Sequence, residues 1–273
     1  MNVLRHPSEW TKPVGTTVGF VPTMGALHEG HLSLMRKARA ECGHVIVSIF
    51  VNPTQFGPHE DFQRYPRNEQ RDLELCREVG VDTVFAPDVE TMYPRRTTVV
   101  AVRGVTERWE GAFRPGHFDG VTTVVTKLFH IVQPDRAYFG LKDLQQCAVI
   151  RRMVEDLNFP VELRFCETVR EPDGLAMSSR NQYLSPEERR RAALLYRRLT
   201  ECRDEAASGG SLAASLDRAR MALESDGFAV DYVAWVDPVS MEPIDRLQPG
   251  SRLIAAVRLG SVRLIDNLGL DVA

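Results

Sequence analysis

The sequence predicts an α/β fold, with a Rossmann-like, doubly wound parallel sheet domain over residues 1–168 and a smaller C-terminal α+β domain over residues 169–273. Three observations support this. Apolar, β-branched segments alternate with helical segments as far as Cys166, as in successive βαβ units. Val45 to Val51 carries Val and Ile on consecutive positions, which is typical of a strand covered on both faces. Beyond Thr168, helices come first and strands follow in a group, which indicates a separate unit.

The elements of the first domain follow from the same patterns. Strands are expected at Thr17 to Val21, Val45 to Val51, Val81 to Phe85, Val99 to Val102, Ala137 to Gly140 and Val161 to Cys166. Helices are expected from about Gly30 to Cys42, Asp61 to Val79 and Asp119 to Val132, with a further one after Gly140. Asp119 is the expected N-cap of its helix, because a short acidic side chain can accept hydrogen bonds from the first turn.

The second domain begins with a clear helix signal. Ser185, Pro186 and Glu188 form the pattern of an N-cap, a proline at the first position and a capping box. Helical spacing then predicts two buried faces, made of Leu195, Leu199 and Cys202 and of Leu212, Leu216, Ala219 and Leu223. Three strands are expected after them, at Val230 to Val236, Leu253 to Val257 and Val262 to Ile265.

Composition excludes several classes of protein. The chain has 273 residues, 43% of them hydrophobic and 26% charged, which is ordinary for a globular protein. A formal charge of −3 without a long basic run argues against nucleic-acid binding, since neutralising many phosphates needs a basic surface. Five scattered cysteines indicate reduced thiols, and no apolar run has the length of a membrane span. We therefore expect a cytoplasmic protein.

One stretch carries the strongest functional signal, the string FVPTMGALHEGHLS from Phe20 to Ser33. It leads from a strand through a turn into a helix, and it places His28 and His31 at the helix start. A helix N-terminus favours anions, and two histidines there add directional donors for phosphate. Two alternatives compete. The zincin pattern H-E-x-x-H is one residue longer than the string found, and a solvated pair of histidines leaves the proline and glycines of the turn unexplained.

Four other groups of polar residues are candidates, each with an ordinary alternative. Asn52 and Gln55 follow a strand, where α/β proteins gather ligands, but surface turns have the same composition. Arg114 and His117 stand on an expected loop before a helix. Lys142 stands at an expected helix start, where a positive charge is unfavourable for the helix dipole. A bound polyphosphate would explain its position, although exposed lysines occur anywhere. The triplet Ser178 to Arg180 has the groups of a phosphate cradle, although such triplets are more often solvated loops.

Four strings in order resemble the pantothenate synthetase family of the nucleotidyltransferase superfamily, whose signature is H-x-G-H. They are PTMGALHEGHLSL, VNPTQFGPHEDFQRYPR, RPGHFDGVTTVVTKLFHIVQPDRAYFGLKDLQQ and TVREPDGLAMSSRNQYLS, and they cover most of residues 20–185. The region after Ser185 carries little of the pattern.

The resemblance implies an ATP-dependent ligase. Members of the family use ATP and Mg²⁺ to join pantoate to β-alanine through a pantoyl adenylate, with release of AMP and pyrophosphate. Such chemistry needs charge neutralisation and alignment more than a protein nucleophile. The resemblance further implies a homodimer, and a small domain that closes over the adenylate as a lid and keeps water out.

The resemblance also implies roles for residues that match the family's motifs. The catalytic set comprises His28, His31, Lys142, Ser178, Ser179 and Arg180. The ATP-binding set comprises Met24, Gly30, His31, Gly140, Lys142, Asp143, Val169, Met177, Ser178, Ser179 and Arg180. Pantoate is expected at Pro22, Thr23, Met24, Gln55 and Gln146, and β-alanine or the intermediate at Asn52, Arg114 and His117. No Mg²⁺ ligand can be assigned to a residue.

Two positions depart from the family pattern, Leu141 and Glu167, and neither removes a side chain from these sets. Three other functions remain open at this point: a nucleotidylyltransferase that keeps AMP on its product, an ATP-binding module without catalysis, and a fragment of a tRNA synthetase. Gln55 and Gln146 argue against the first, because they suit a small hydroxy acid. The net charge argues against the last.

Overall fold

A computed structural model describes residues 1–58 and 60–270. Its backbone contacts divide the chain into two compact units. The first comprises residues 1–140 and 149–167, and the second comprises residues 141–148 and the chain from Thr168 onward. The division passes through one helix, a feature that the sequence pattern did not predict.

A six-stranded, all-parallel sheet forms the centre of the first unit, with strand order β1-β4-β3-β2-β5-β6. Side chains of its central strand, such as Phe20 and Val21, are fully buried, as expected for a sheet covered on both faces. This confirms the predicted Rossmann-like sheet. The strands are β1 (Asn2–Leu4), β2 (Val18–Thr23), β3 (His44–Ile49), β4 (Thr83–Phe85), β5 (Arg136–Gly140) and β6 (Glu162–Cys166).

The helices between these strands are α1 (Glu29–Glu41), α2 (Glu69–Glu78), α3 (Val89–Met92), α4 (Glu110–Phe113), α5 (His117–Val132) and α6 (Leu144–Asp156). Chain order reverses at β2, which has β3 on one side and β5 on the other. In open parallel sheets, ligands bind beyond the carboxyl ends of the strands at such a reversal. The segment that follows β2 therefore lies where this fold places a ligand.

The second unit contains helices and an antiparallel sheet of order β7-β8-β9, which confirms the predicted α+β character. Its core includes Leu195, Leu199, Leu223 and Trp235, each at most 1% exposed. The elements are α7 (Pro186–Ala192), α8 (Leu194–Ala207), α9 (Leu212–Ser225), β7 (Ala229–Val236), β8 (Arg252–Leu259) and β9 (Val262–Gly269). Ser185 caps α7 in a capping box with Glu188, as predicted.

Two predicted elements of the first unit were wrong in extent or kind. The helix expected from Asp61 begins only at Glu69, because Pro66 cannot donate a helical hydrogen bond and Asn68 then caps α2. Val99 to Val102 do not form a strand. The Val100 N–H donates to Thr123 Oγ1 at 3.0 Å, and Val100 O accepts a hydrogen bond from Thr122, so side chains of α5 bind this backbone instead of a neighbouring strand.

The starts of three elements also differ from the prediction. Gly116, with φ +79°, is the N-cap of α5 and lies three residues before the expected cap, so Asp119 lies inside the first turn and is not the N-cap. Pro22 and Thr23 belong to β2 and not to the turn after it. The edge strand β1 was not predicted, because its three residues are too few to show a period.

Candidate active site

The two histidines of the first motif cap α1 with their own rings. His28 is the N-cap, and its Nδ1 accepts a hydrogen bond from the Gly30 N–H at 3.2 Å. His31 Nδ1 accepts from the His28 N–H at 3.3 Å, and the ring centroids are 4.1 Å apart. Because each Nδ1 acts as an acceptor, a neutral ring carries its proton on Nε2. The Gly30 amide is engaged by the His28 ring, and in both neutral rings Nε2–H is the donor.

A buried carboxylate holds the loop that leads into these histidines. Gly25 and Ala26 both have positive φ, at +78° and +50°. Asp72 of α2 accepts the Ala26 N–H at 2.9 Å and the Leu27 N–H at 2.8 Å. A side chain on Gly25 would place its Cβ 2.8 Å from Asp72 Oδ2, so only glycine fits there.

Asp72 was missed by the sequence analysis, although one signal was present. It lies three and four residues before the buried Leu75 and Cys76, on the apolar face of α2, and it is only 3% exposed. An acid on an apolar face needs a partner, since burying an unpaired carboxylate is costly. Burial raises the pKa of the Asp72 carboxyl, and the backbone hydrogen bonds from Leu27 and Ala26 oppose that effect.

A 3₁₀ turn at Pro53–Gln55 follows β3 and places Gln55 beside the first motif. The Gln55 Nε2 lies 3.2 Å from the Met24 sulfur, so these two predicted pantoate-binding residues are in contact. Asn52 caps the turn, and its amide donates to Gln55 Oε1 at 3.0 Å and to the Gly120 carbonyl at 3.1 Å. Gln55 is 8% exposed, so its side chain has a fixed place in the fold.

Arg114 and His117 bind the backbone of the same turn. Arg114 makes two 2.7 Å hydrogen bonds to the Glu60 carboxylate, and its Nη1 lies 3.1 Å from His117 Nε2. His117 Nδ1 lies 2.8 Å from the Gln55 carbonyl oxygen, which can only accept. The imidazole is therefore protonated on Nδ1 and accepts from Arg114 at Nε2. Hydrogen bonding fixes its neutral tautomer.

The electrostatic surroundings keep that imidazole neutral. Burial, followed by the Arg114 charge, lowers the pKa of His117 to about 4, against smaller raising effects from the Gln55 carbonyl, Glu110 and Glu60. Burial raises the pKa of Glu60, but the hydrogen bonds and charge of Arg114 outweigh this and leave the pKa lowered. The Arg114 charge is thus balanced by Glu60 within the first unit.

In the second unit, Lys142 lies on a 3₁₀ turn, Leu141–Asp143, that runs directly into α6. Its ammonium group is 3.7 Å from the Asp143 carboxylate and its side chain is 20% exposed. The backbone of the turn is held by Asn267 of β9, whose amide donates to the carbonyls of Leu141 and Lys142. Asn267 was also missed, because nothing near it in sequence indicates this contact.

A short hairpin of the second unit brings together two residues predicted to bind ATP. The Met177 N–H donates to the Val169 carbonyl at 3.0 Å, and Arg170 pairs with Ala176 in an antiparallel bridge. Ser178 then caps the 3₁₀ helix Ser179–Tyr183, with its hydroxyl accepting from the Arg180 N–H at 3.3 Å. The Ser178 to Arg180 triplet is therefore part of a capped turn.

The predicted residues thus fall into local groups within each unit. The first unit brings Met24, Gln55, Asn52, Arg114 and His117 into one connected network, and it places His28 and His31 at the start of α1. In the second unit, Val169 and Met177 face each other across the hairpin. The remaining predicted residues have these places: Pro22 and Thr23 in β2, Gly140 at the end of β5, Asp143 on the 3₁₀ turn and Gln146 in α6.

Among the described residues, no group of three or more His, Cys, Asp or Glu side chains could hold a metal ion. No helix within the described ranges is both long and apolar enough to cross a membrane.

Comparison with known proteins gives one consistent family. The profile of the family described as pantoate-beta-alanine ligase matches residues 2–269. A pantothenate synthetase from Rhizorhabdus wittichii is 56% identical over 261 residues, which is 95% of this chain and 93% of that relative. One from Thermus thermophilus is 56% identical over 254 residues, covering 92% of each chain.

Solved structures agree with these relatives. A crystal structure of the Thermus thermophilus pantothenate synthetase superposes with a TM-score of 0.96 at 53% identity, covering 99% of both chains. A pantoate-beta-alanine ligase from Francisella tularensis, described as complexed with beta-gamma ATP and beta-alanine, superposes with a TM-score of 0.85 at 34% identity, covering 100% of this chain and 99% of that one.

Proposed function

The chain belongs to the pantoate-beta-alanine ligase family, and from this membership we infer that it condenses pantoate with β-alanine at the expense of ATP. The observation that carries this conclusion is the family match over residues 2–269, with relatives above 50% identity along almost their whole length. The Francisella tularensis relative, described as complexed with beta-gamma ATP and beta-alanine, supports the same pair of substrates.

The reaction proceeds in two transfers. The pantoate carboxylate attacks the α-phosphorus of ATP, the bond to the β-phosphate oxygen breaks, and pyrophosphate leaves. The amine of β-alanine then attacks the acyl carbon of the pantoyl adenylate, AMP leaves with the bonding electrons, and the nitrogen loses a proton. Neither transfer needs a protein nucleophile, so catalysis consists of alignment and stabilisation of developing charge.

Residues of the first unit bind the ATP phosphates and pantoate. The Nε2–H groups of His28 and His31 donate to phosphate oxygens, because their Nδ1 atoms already accept backbone hydrogen bonds. Gln55 hydrogen-bonds pantoate in a pocket shaped by Met24, Pro22 and Thr23. Asn52, Arg114 and His117 serve the β-alanine or intermediate side, and their contacts with the Gln55 turn support a place beside pantoate.

Residues of the second unit bind ATP. Lys142 and Arg180, with the hydroxyls of Ser178 and Ser179, balance the negative charge of the triphosphate and of the departing pyrophosphate. Asp143 binds the ribose, and Val169 and Met177 pack against the adenine. From the first unit, Gly140 gives backbone contacts to the nucleoside and Gly30 lets the adenine approach the backbone. Gln146 of the second unit binds pantoate.

Mg²⁺ enters with ATP. We assign its coordination mainly to phosphate oxygens and water, because Mg²⁺ usually keeps several waters and binds substrate phosphates in such sites. The ion supplies charge neutralisation on the triphosphate when bound.

We further propose a cytoplasmic homodimer, as the family resemblance implies. Light scattering coupled to size-exclusion chromatography measures the mass in solution. A mass near twice 30.7 kDa supports the dimer, and a mass near that of one chain contradicts it.

Product analysis tests the proposed function. The purified protein is incubated with ATP, Mg²⁺, pantoate and β-alanine, and the products are separated and quantified. The expected result is pantothenate, AMP and pyrophosphate in equal amounts. A product that retains AMP identifies a nucleotidylyltransferase instead, and binding of ATP without any turnover identifies a module without catalysis.

A further inference from the structure

Two adjacent buried residues near the end of β9, Asp266 and Asn267, bind segments of the second unit that are distant in sequence. Each is 3% exposed. The Asn267 amide donates one hydrogen bond to the Leu141 carbonyl at 2.7 Å and another to the Lys142 carbonyl at 3.1 Å. The Asn267 side chain therefore holds the two consecutive peptide groups on either side of the Lys142 Cα.

The neighbouring Asp266 binds the other segment. Its carboxylate accepts two hydrogen bonds from Arg170, at 2.7 and 2.9 Å. Arg170 also donates to the Gly174 carbonyl at 3.0 Å and lies 4.2 Å over the Tyr196 ring. Arg170 belongs to the hairpin that leads into Ser178, so the two residues of β9 connect both nucleotide-binding segments of this unit to its sheet.

The hydrogen bonds of Asn267 matter for placing a charge. A lysine side chain is long and flexible, so the position of its ammonium group is defined only if its backbone is fixed. In an efficient active site the catalytic groups are held to within about half an ångström of their productive positions. That precision requires the residues that support them to be fixed by packing and hydrogen bonds of their own. Because the Asn267 amide donates both of its hydrogens to the turn, it fixes both the position and the orientation of the turn.

We propose that Asn267 is a positioning residue for adenylate formation, which acts by holding the Leu141–Lys142 turn so that the Lys142 ammonium group meets the triphosphate. The inference rests on the proposed function, in which Lys142 binds ATP. It extends the functional residues into the region after Ser185, where the sequence shows little of the family pattern.

Steady-state exchange of labelled pyrophosphate into ATP tests the proposal. Asn267→Ala is expected to lower kcat/KM for ATP by about tenfold or more while KM for pantoate changes by less than about twofold. A substitution that only destabilised the fold would change the constants for ATP and for pantoate to a similar extent. The matched control is Ser251→Ala, which removes a different buried polar side chain that binds loop backbone in the same unit, since Ser251 Oγ accepts from the Gln248 N–H at 2.9 Å. This control is expected to leave both constants near those of the parent.

A double-mutant cycle with Lys142→Ala provides the second readout. If Asn267 acts through Lys142, adding Asn267→Ala to Lys142→Ala lowers the exchange rate by less than about twofold further. Full additivity, or an Asn267→Ala variant that matches the parent, overturns the proposal. Should the alanine variant fail to fold, Asn267→Ser is measured against the same criteria.

The outcomes distinguish a failure of the role of Asn267 from a failure of the proposed function. A parent protein without pantoate-dependent exchange contradicts the proposed function. A parent that exchanges normally, with Lys142→Ala impaired and Asn267→Ala unimpaired, overturns only the role of Asn267.

Discussion

Acid pH should destabilise the first unit through one buried imidazole, that of His117. Its folded-state pKa is lowered to about 4 by burial and by Arg114, whereas an unfolded histidine titrates near 6.5. As the pH falls below about 6.5, the unfolded chain takes up a proton at this residue and the folded chain does not. The stabilisation is thus complete above about pH 6.5 and is lost as the pH falls towards 4. Over that range the loss is about 3 kcal/mol.

The matched substitution is His117→Asn, which removes the titratable imidazole and keeps an N–H donor. An asparagine amide can replace the His117 Nδ1–H that donates to the Gln55 carbonyl at 2.8 Å, but it cannot take up a proton. Urea unfolding followed by far-UV circular dichroism is measured between neutral pH and pH 4 for both proteins. Carboxylates titrate in both, so the difference between the two pH dependences isolates the histidine.

We expect the parent to lose about 3 kcal/mol more of its unfolding free energy than the variant on going from neutral pH to pH 4. His130→Asn is the control, because it removes an exposed histidine from the same helix. It should retain the pH dependence of the parent. Parallel curves for the parent and His117→Asn would refute the assignment of a buried, neutral imidazole.

Four further substitutions test other parts of the structure. Asp72→Ala leaves the Ala26 and Leu27 N–H groups without their acceptor, so we expect about 3 kcal/mol less protection of those amides in hydrogen exchange, together with slower adenylate formation. Unchanged protection contradicts the role of Asp72 in holding the loop. Ser185→Ala removes the N-cap of α7 and should cost about 1 kcal/mol of unfolding free energy in urea, whereas an unshifted midpoint argues against the capping box. Lys142→Ala and His31→Ala should each slow pantoyl adenylate formation by about a hundredfold or more without unfolding the protein, and a near-parental single-turnover rate counts against the assigned role.

Features specified by neighbouring residues could be predicted from the sequence. The parallel strand at His44–Ile49 follows from its density of Val and Ile, and the cap of α7 follows from residues three apart. The helix start at His28 was predictable for the same reason, since strand, turn and histidines are contiguous. Local patterns therefore located the first motif and the strands β2 to β6.

Features that depend on distant contacts could not be predicted. Asp72 binds a loop 46 residues before it, and Asn267 binds a carbonyl 126 residues before it. Val100 has the composition of a strand, but the threonines of α5 bind its backbone. Sequence reasoning identified side chains suited to touch substrate, whereas the residues that hold those side chains in place became visible only in the fold.

The most direct test of the central claim is exchange of labelled pyrophosphate into ATP, measured with and without pantoate and in the absence of β-alanine. A pantoyl adenylate formed reversibly at the active site predicts exchange that requires pantoate and proceeds without the amine. Exchange that occurs equally without pantoate, or that never occurs when pantoate is present, contradicts activation of the acid as an adenylate.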